Sequence, residues 1–436
     1  MKVVNLVREL IDSRDFLERH RTDPKHFTRQ GKMPFGVVIC FIINALKGKV
    51  QAELDSFFKA LLRKDVDLRY VSAAAFCKAR RKIAPAAFIE ISNRLTRLFY
   101  DHAPERTLEG KRLIAIDGST FVLPSSSEVR SEYGTVVSNS RAPRCLGRSS
   151  VAYDVYNDLV LDARLASYNG NHELPMAFQQ VDRLYKNGLL DNAIILGDRG
   201  YSSFAFLCLL RHFNAEFLVR LKLTHPLVVK LAASGDDEIT AEWRPKKVGR
   251  KSLPSHLTGI SLKPITLRVV KVENAEGETM YLASNLEDSK LSIFDLDQLY
   301  HLRWGVEEQY KVMKCRLEIE NFSGTTLQCI QQDFHAKILF FNLVAVLTHE
   351  ENFALSEDNS RHHQYKLNRT ETLSKAKFAL VLMFLRDSFV QILKDLGTIW
   401  KKCLTPIRPG RSFPRAGANR TGLKVQGHYP PYKRAA

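Results

Sequence analysis

The sequence lacks any CxxC pair. Its seven cysteines, Cys40, Cys77, Cys145, Cys208, Cys315, Cys329 and Cys403, are scattered and odd in number. That excludes a disulfide framework or a zinc knuckle and is the cysteine usage of a reducing cytosol. Long hydrophobic runs are also missing. The two longest, FGVVICFIINAL and ILFFNLVAVL, reach about half a membrane span and predict core helices, with no membrane partner. The opening MKVVNLVRELIDSRDF alternates charge with apolar residues and carries no signal-peptide core. No internal repeat is visible. The last stretch lacks acid: Lys401–Ala436 holds nine Lys/Arg and no Asp or Glu.

What is present fits a folded, basic protein. A chain of 436 residues suggests two or three domains, and 45% hydrophobic content is ample for a buried core. The formal net charge is +18, which points to a polyanionic partner, most often nucleic acid. Residues 1–100 hold 20 Lys/Arg against 10 Asp/Glu. With the basic tail they account for the whole surplus, so the middle is close to neutral. Two basic ends around a neutral middle suit a catalytic core with flanks that grip DNA.

Residues 1 to about 105 read as helical. PFGVVICFIINALKG predicts a buried helix, and SAAAFCKARRKIAPAAFIEISNRLTRLFYDH a capped helix, a proline break and a second helix. The first of these carries Lys78, Arg80, Arg81 and Lys82, either a DNA-contacting basic helix or a solvated face. Beyond residue 110 the periodicity changes. KRLIAIDGSTFVLP, a hairpin turned at Asn157-Asp158, a helix closed by Gly188, NAIILGD, a further helix and AEFLVRLK predict a mixed α/β sheet with a helix layer. His225 to Asn285 reads as a β-rich insertion. Helices are expected from Asp295 to about Asn352, a polar loop over Arg361–Lys375, one helix over Ala376–Trp400, and an extended tail.

Two buried strands are each expected to end in an aspartate, Asp117 in LIAID and Asp198 in AIILGD. An acid after a run of aliphatics is costly unless it is paired or binds a cation, and sites gather at strand ends in open α/β sheets. A third acid comes from YHLRWGVEEQYKVMK. On a single helix Tyr300, Arg303, Glu307 and Lys314 fall within an arc of about 60°. Trp304 flanks the arc, and Glu308 lies well off it. That stripe sets phosphate-binding groups around one carboxylate. Three carboxylates can hold two divalent cations, and oxygen-only ligands select Mg²⁺ or Mn²⁺.

The spacing Tyr300-x2-Arg303-x3-Glu307-x6-Lys314, with IDGST at Asp117 and GDRGYSS at Asp198, resembles the YREK signature and acid motifs of bacterial DDE transposases of the insertion-sequence-four family. The resemblance covers roughly residues 70 to 415 and includes RPGRSFPR in the tail. It implies an RNase H-like α/β fold: a mixed sheet with flanking helices, an all-helical N-terminal region, and a β-rich insertion between the second Asp and the Glu. The implied organisation is a helical DNA-binding region at 1–105, core at 106–225, insertion at 226–290, core with the catalytic helix at 291–352, a helical region at 353–400 and a basic tail at 401–436. Asp117, Asp198 and Glu307 would bind the metals, with two Mg²⁺ ions or Mn²⁺ in their place. Tyr300, Arg303 and Lys314 would contact DNA near the cut. Lys78, Arg80, Arg81 and Lys82 and the tail residues Arg408, Arg411 and Arg415 would grip DNA elsewhere. The implied activity is cut-and-paste transposition in the bacterial cytoplasm at the nucleoid, by a protein that is a homodimer when bound to double-stranded DNA. A domesticated endonuclease and a catalytically silent DNA-binding protein are the alternatives. Trp243 and Tyr281 are candidates to hold a flipped base, and Trp304 is expected to pack beside the site.

Overall fold

The computed structural model describes residues 1–407 apart from 30, 139–140, 170–172, 245–258, 274–276, 287–290, 359, 361–362 and 388. The chain divides into two compact units, Glu105–Tyr310 in one and Met1–Pro104 with Lys311–Ala436 in the other.

The Glu105–Tyr310 unit is organised by a sheet of nine strands among the described residues. Strand β1 (Arg112–Leu123) opens with the aliphatic run Leu113–Ile116, buried on both faces as a central strand requires. Strand β2 (Val136–Ser138) pairs with β3 (Arg141–Asp154), and β3 also runs antiparallel to β1 and to β4 (Leu159–Ser167). The β3–β4 hairpin turns where expected. Asp154 Oδ1 accepts from the Tyr156 and Asn157 N–H groups at 3.1 Å each, and Asp158 takes the left-handed backbone, φ 58°. Strands β5 (Ala193–Gly197) and β6 (Glu216–Arg220) continue the other side of β1 in parallel. Helices Glu173–Lys186 and Phe204–His212 pack on this sheet. This is the expected mixed sheet with flanking helices.

The segment after β6 differs from its reading as uninterrupted β structure. HPLVVKLAAS forms a helix, Pro226–Ser234. Burial lowers the His225 pKa to about 4, so the ring is neutral and its Nδ1 accepts the Leu227 N–H at 3.2 Å as an N-cap. Pro226 takes the first helical position, and Gly235, φ 78°, ends the helix in the left-handed region. The local apolar run did not separate strand from helix, but the cap residues decide it. Strands β7 (Glu238–Trp243), β8 (Ile265–Glu273) and β9 (Thr279–Ser284) then return, and β9 pairs with β6. They extend the central sheet itself.

The other unit is helical, as expected of its N-terminal part. Phe35–Ile43 is almost wholly buried and packs against Leu327–Leu347. Ser72 caps Ala73–Arg80, and Pro85 separates that helix from Ala86–His102. Two expectations fail here. Within the polar loop expected over Arg361–Lys375, Tyr365–Leu367 pairs with Leu404–Pro406, and Asn368 caps a helix, Arg369–Ala376. The single helix expected over Ala376–Trp400 is two, Ala379–Leu385 and Phe389–Trp400. Phe378 precedes the first at φ 62°, its N–H held by Asn44 Oδ1 at 2.8 Å. Among the described residues no single helix is long and apolar enough to cross a membrane. One pair bent by 47°, Leu327–Leu347 with His349–Glu357, reaches that length and composition, and its longer member is largely buried core.

Candidate active site

Strand β1 does not stop at Asp117; it runs on to Leu123 against β3, with Asp117 opposite Val151. Its parallel partner β5 does stop. The β1–β5 ladder ends at the pair Ile116 and Gly197, so Asp117 and Asp198 are the next residues on adjacent parallel strands. Neighbouring strands lie about 4.8 Å apart. The two aspartates are therefore brought side by side by register, at the edge where β5 gives way to a turn. Asp117 Oδ1 accepts from the Gly118 N–H at 2.8 Å, and Asp198 Oδ1 from the Gly200 N–H at 2.7 Å.

The third acid arrives differently from its sequence reading. Tyr300 to Lys314 is not one helix. Tyr300 belongs to Ile293–His301, Leu302 and Arg303 form a turn, and Trp304–Cys315 is a second helix. Across the break, N–H groups bond three residues back, as from Arg303 to the Tyr300 carbonyl at 3.0 Å and from Val306 to that of Arg303 at 3.2 Å. Three residues of the stripe, Tyr300, Arg303 and Glu307, still gather. The Arg303 guanidinium lies over the Tyr300 ring, 5.6 Å from its centre. It donates from Nη2 to Glu307 Oε1 at 2.8 Å and stands 3.7 Å from Asp117 Oδ2. Glu307, and not the exposed Glu308, is the acid on this side. Lys314 sits in the last turn of its helix, where burial lowers its pKa and the Glu320 charge opposes that.

Electrostatics mark the cluster. Burial raises the Asp117 pKa to about 6; the Gly118 N–H and the Arg303 charge oppose this, and the Asp198 and Glu307 charges add to it. Burial likewise raises the Tyr300 hydroxyl against the pull of Arg303 and Arg220. Two further tyrosines line the underside and were not singled out from sequence. Tyr310 donates to the Asp117 carbonyl at 3.0 Å. Tyr201 is 1% exposed, its hydroxyl has no hydrogen-bond partner among the described residues, and burial together with the Asp117 charge lifts its pKa well above the usual value. Glu173, paired with Arg148 at 2.9 Å, covers Gly118, where a Cβ would come within 2.5 Å of its Cγ. A side chain there would push Glu173 aside, and a lone Gly after an acid gave no sign of it.

The sign of the Asp117 shift gives a test. Its folded pKa exceeds the usual unfolded value of about 3.9, so the carboxyl favours folding below about pH 4 and loses that contribution as pH rises through about 6. Asp117→Asn mimics the neutral form. In metal-free buffer the variant should gain stability relative to wild type as pH rises from about 4 to about 6, then keep a constant lead. Thermal denaturation across that range checks it, and a lead that shrinks with pH would show the opposite shift.

Other expected DNA contacts divide. Lys78 and Arg81 are exposed and Lys82 is half-buried. Arg80 is not a surface cation: it is 1% exposed, with its guanidinium on Asp333 at 2.8 Å, Gln332 at 2.9 Å and Ser323 at 2.7 Å. One turn of helix turns it inward while its neighbours face water. Arg408, Arg411 and Arg415 lie outside the described residues. Trp243 and Tyr281 are buried, Trp243 edge-on to Phe204 and His225, so neither offers a ring to a base. Trp304 is 54% exposed and does not pack as expected.

The sequence profile of the family described as "Transposase DDE domain" matches residues 108–343. This chain belongs to the DDE transposase family. It is 21% identical over 412 residues to the transposase InsG for insertion sequence element IS4 of Escherichia coli (strain K12), covering 89% of this chain and 86% of that protein. It is 25% identical over 160 residues to the putative transposase y4zB of Sinorhizobium fredii (strain NBRC 101917 / NGR234), covering 35% of this chain and 42% of that one. A cryo-EM structure of the piggyBac transposase synaptic complex with hairpin DNA aligns over 94% of this chain and 87% of that chain, with TM-score 0.46 and 11% identity. Membership makes this DDE transposase a polynucleotidyl transferase and endonuclease that uses divalent metal ions. The residues present fit such an ion by donor type, being hard carboxylate oxygens whose neighbouring charges add to the burial that raises the Asp117 pKa. As they stand, no three His, Cys, Asp or Glu side chains among the described residues close on one point, and the Arg303 guanidinium supplies the cluster's positive charge.

Proposed function

We propose that this DDE transposase performs cut-and-paste transposition of an insertion sequence, cutting DNA at terminal inverted repeats and joining the freed 3′-hydroxyl to target DNA. The observation that carries the reading is the juxtaposition of Asp117 and Asp198, each one residue past the last β1–β5 pair, with Glu307 held beside them by Arg303. Asp117, Asp198 and Glu307 would hold the ions, two Mg²⁺ or Mn²⁺. Bound there, the ions would activate a water or 3′-hydroxyl and stabilise the leaving oxygen. The chain's own part is positional. Gly118 and Gly200 N–H groups fix one oxygen of each aspartate and leave the other for a ligand. Arg303, freed from Glu307, turns to a DNA phosphate, with Tyr300 beneath it, and Lys314 is a further DNA contact. Lys78, Arg81, Lys82 and the tail's Arg408, Arg411 and Arg415 contact the backbone away from the cut. Joining two element ends calls for a homodimer on DNA, acting in the cytoplasm at the nucleoid.

The test is a plasmid carrying the gene's own flanking DNA, incubated with the protein and Mg²⁺. Release of the segment with 3′-hydroxyl ends, and its insertion into a second plasmid, is the expected result. Nicking without any joined product would reduce the reading to an endonuclease.

A further inference from the structure

A hollow of about 920 Å³ in the N-terminal helical region is lined by Lys25, Arg29, Lys32, Lys78 and Lys82 and by no Asp or Glu. Among the described residues none of these five has a carboxylate within ion-pair distance. Five like charges around one concavity repel one another, and a concave wall focuses their field outward. Such a site gains most from an occupant that brings several negative charges in a row.

The walls are set before anything binds. Lys32 Nζ lies 4.6 Å from the centre of the Tyr70 ring and donates to the Tyr70 carbonyl at 3.3 Å. Lys82 Nζ lies 5.8 Å from the Phe27 ring centre. Phe27 holds the left-handed backbone at φ 59°, unusual for a bulky side chain. It is fixed there by edge contact with Phe35 and by Arg21 donating to the His26 carbonyl at 3.1 Å. Aromatic faces interleaved with cations suit a nucleic-acid strand, whose phosphates take the charges while its sugars and bases meet the rings. A single small anion would leave most of the five cations unmatched.

We propose that this hollow seats a phosphodiester strand of DNA through Lys25, Arg29, Lys32, Lys78 and Lys82, with Phe27 and Tyr70 as its apolar walls. The proposal rests on the reading of the chain as a DNA transposase, but it is tested apart from cleavage. Arg29→Gln, Lys32→Gln and Lys78→Gln are combined in the full-length protein, and affinity for a mixed-sequence DNA duplex is measured against salt in EDTA. Each lost phosphate contact removes about 0.9 from the slope of log K against log salt. The triple variant should therefore lose about 2.7 from that slope and bind at least about tenfold more weakly at low salt. Slope and affinity at wild-type values overturn the proposal. These side chains are exposed, so the melting temperature should not move. If it does, Arg29→Gln alone, expected to lose about 0.9, gives the deciding slope. Should wild type bind and cut while the triple variant keeps its slope, only the hollow fails. Should the slope fall while wild type never cuts, the hollow stands and the transposition reading fails.

Discussion

Glu307→Gln, Asp117→Asn and Asp198→Asn are each expected to reduce Mg²⁺-dependent DNA cleavage by about a thousandfold or more, with DNA affinity changed by less than about twofold. The substitutions keep shape and remove charge. A metal ion contributes several kcal/mol of charge stabilisation to phosphoryl transfer, and each 1.4 kcal/mol is a factor of ten. Asp117 and Asp198 cannot stand in for one another, because the ladder that places them side by side also fixes which oxygen of each is already taken by a backbone N–H. Glu307→Gln has a second effect: it removes the carboxylate that holds Arg303, so the guanidinium is freer to meet phosphate and binding should not fall. Glu308→Gln, one residue on and exposed, serves as the control that cuts normally. Labelled end-DNA, bound in Ca²⁺ and cut in Mg²⁺, separates the two properties. Wild-type cutting by any of the three acid variants would remove that residue from the site.

Arg80→Met is expected to cost about 3–5 kcal/mol of stability, since breaking a buried ion pair leaves one charge without compensation. Arg80 and Asp333 are 1% and 3% exposed. Asp333 also accepts from the Ser323 backbone N–H at 2.6 Å and hydroxyl at 2.8 Å, so the pair ties the helix Ala73–Arg80 to the entry of Leu327–Leu347. Pairing Arg80→Met with Asp333→Leu should recover most of the loss, because a well-packed apolar pair often equals a buried ionic one. Chemical denaturation of the single and double variants checks the cycle. If Arg80→Met instead melts like wild type and binds DNA more weakly, Arg80 is a surface contact after all.

The core strands were legible because buried aliphatic runs, hairpin residues and capping residues are local signals. Asp117 and Asp198 stood out for the same reason, as acids following such runs. Their adjacency was not legible, since it depends on the register of β1 against β5, which pairs residues about eighty apart in sequence. Glu307 was singled out by a helical wheel whose premise was partly wrong. The helix breaks at Leu302–Arg303, yet Arg303 and Glu307 share a side because they are four residues apart, and Tyr300 reaches them from the preceding helix. Arg80 was misread because Lys78, Arg81 and Lys82 hid one inward-facing residue among three outward ones. Its partners lie some 250 residues away, beyond any local pattern. Tyr201 carried no signal of its own and Glu173 read first as the opening of a helix, because their roles come from what they are packed against.

Between the second aspartate and the glutamate the chain passes through β6, runs out to β7 and β8 at the far edge of the same sheet, and comes back beside β6 on β9, with Val219 opposite Ala283. Departure and return thus share one doorway. The 109 residues separating Asp198 from Glu307 along the chain say nothing about their separation in space, which is set by the rung on which the chain re-enters. Lengthening a loop adds only slowly to its closure cost. Segments of very different length could therefore be spliced in beyond that doorway, each delivering its third acid to the same two neighbours.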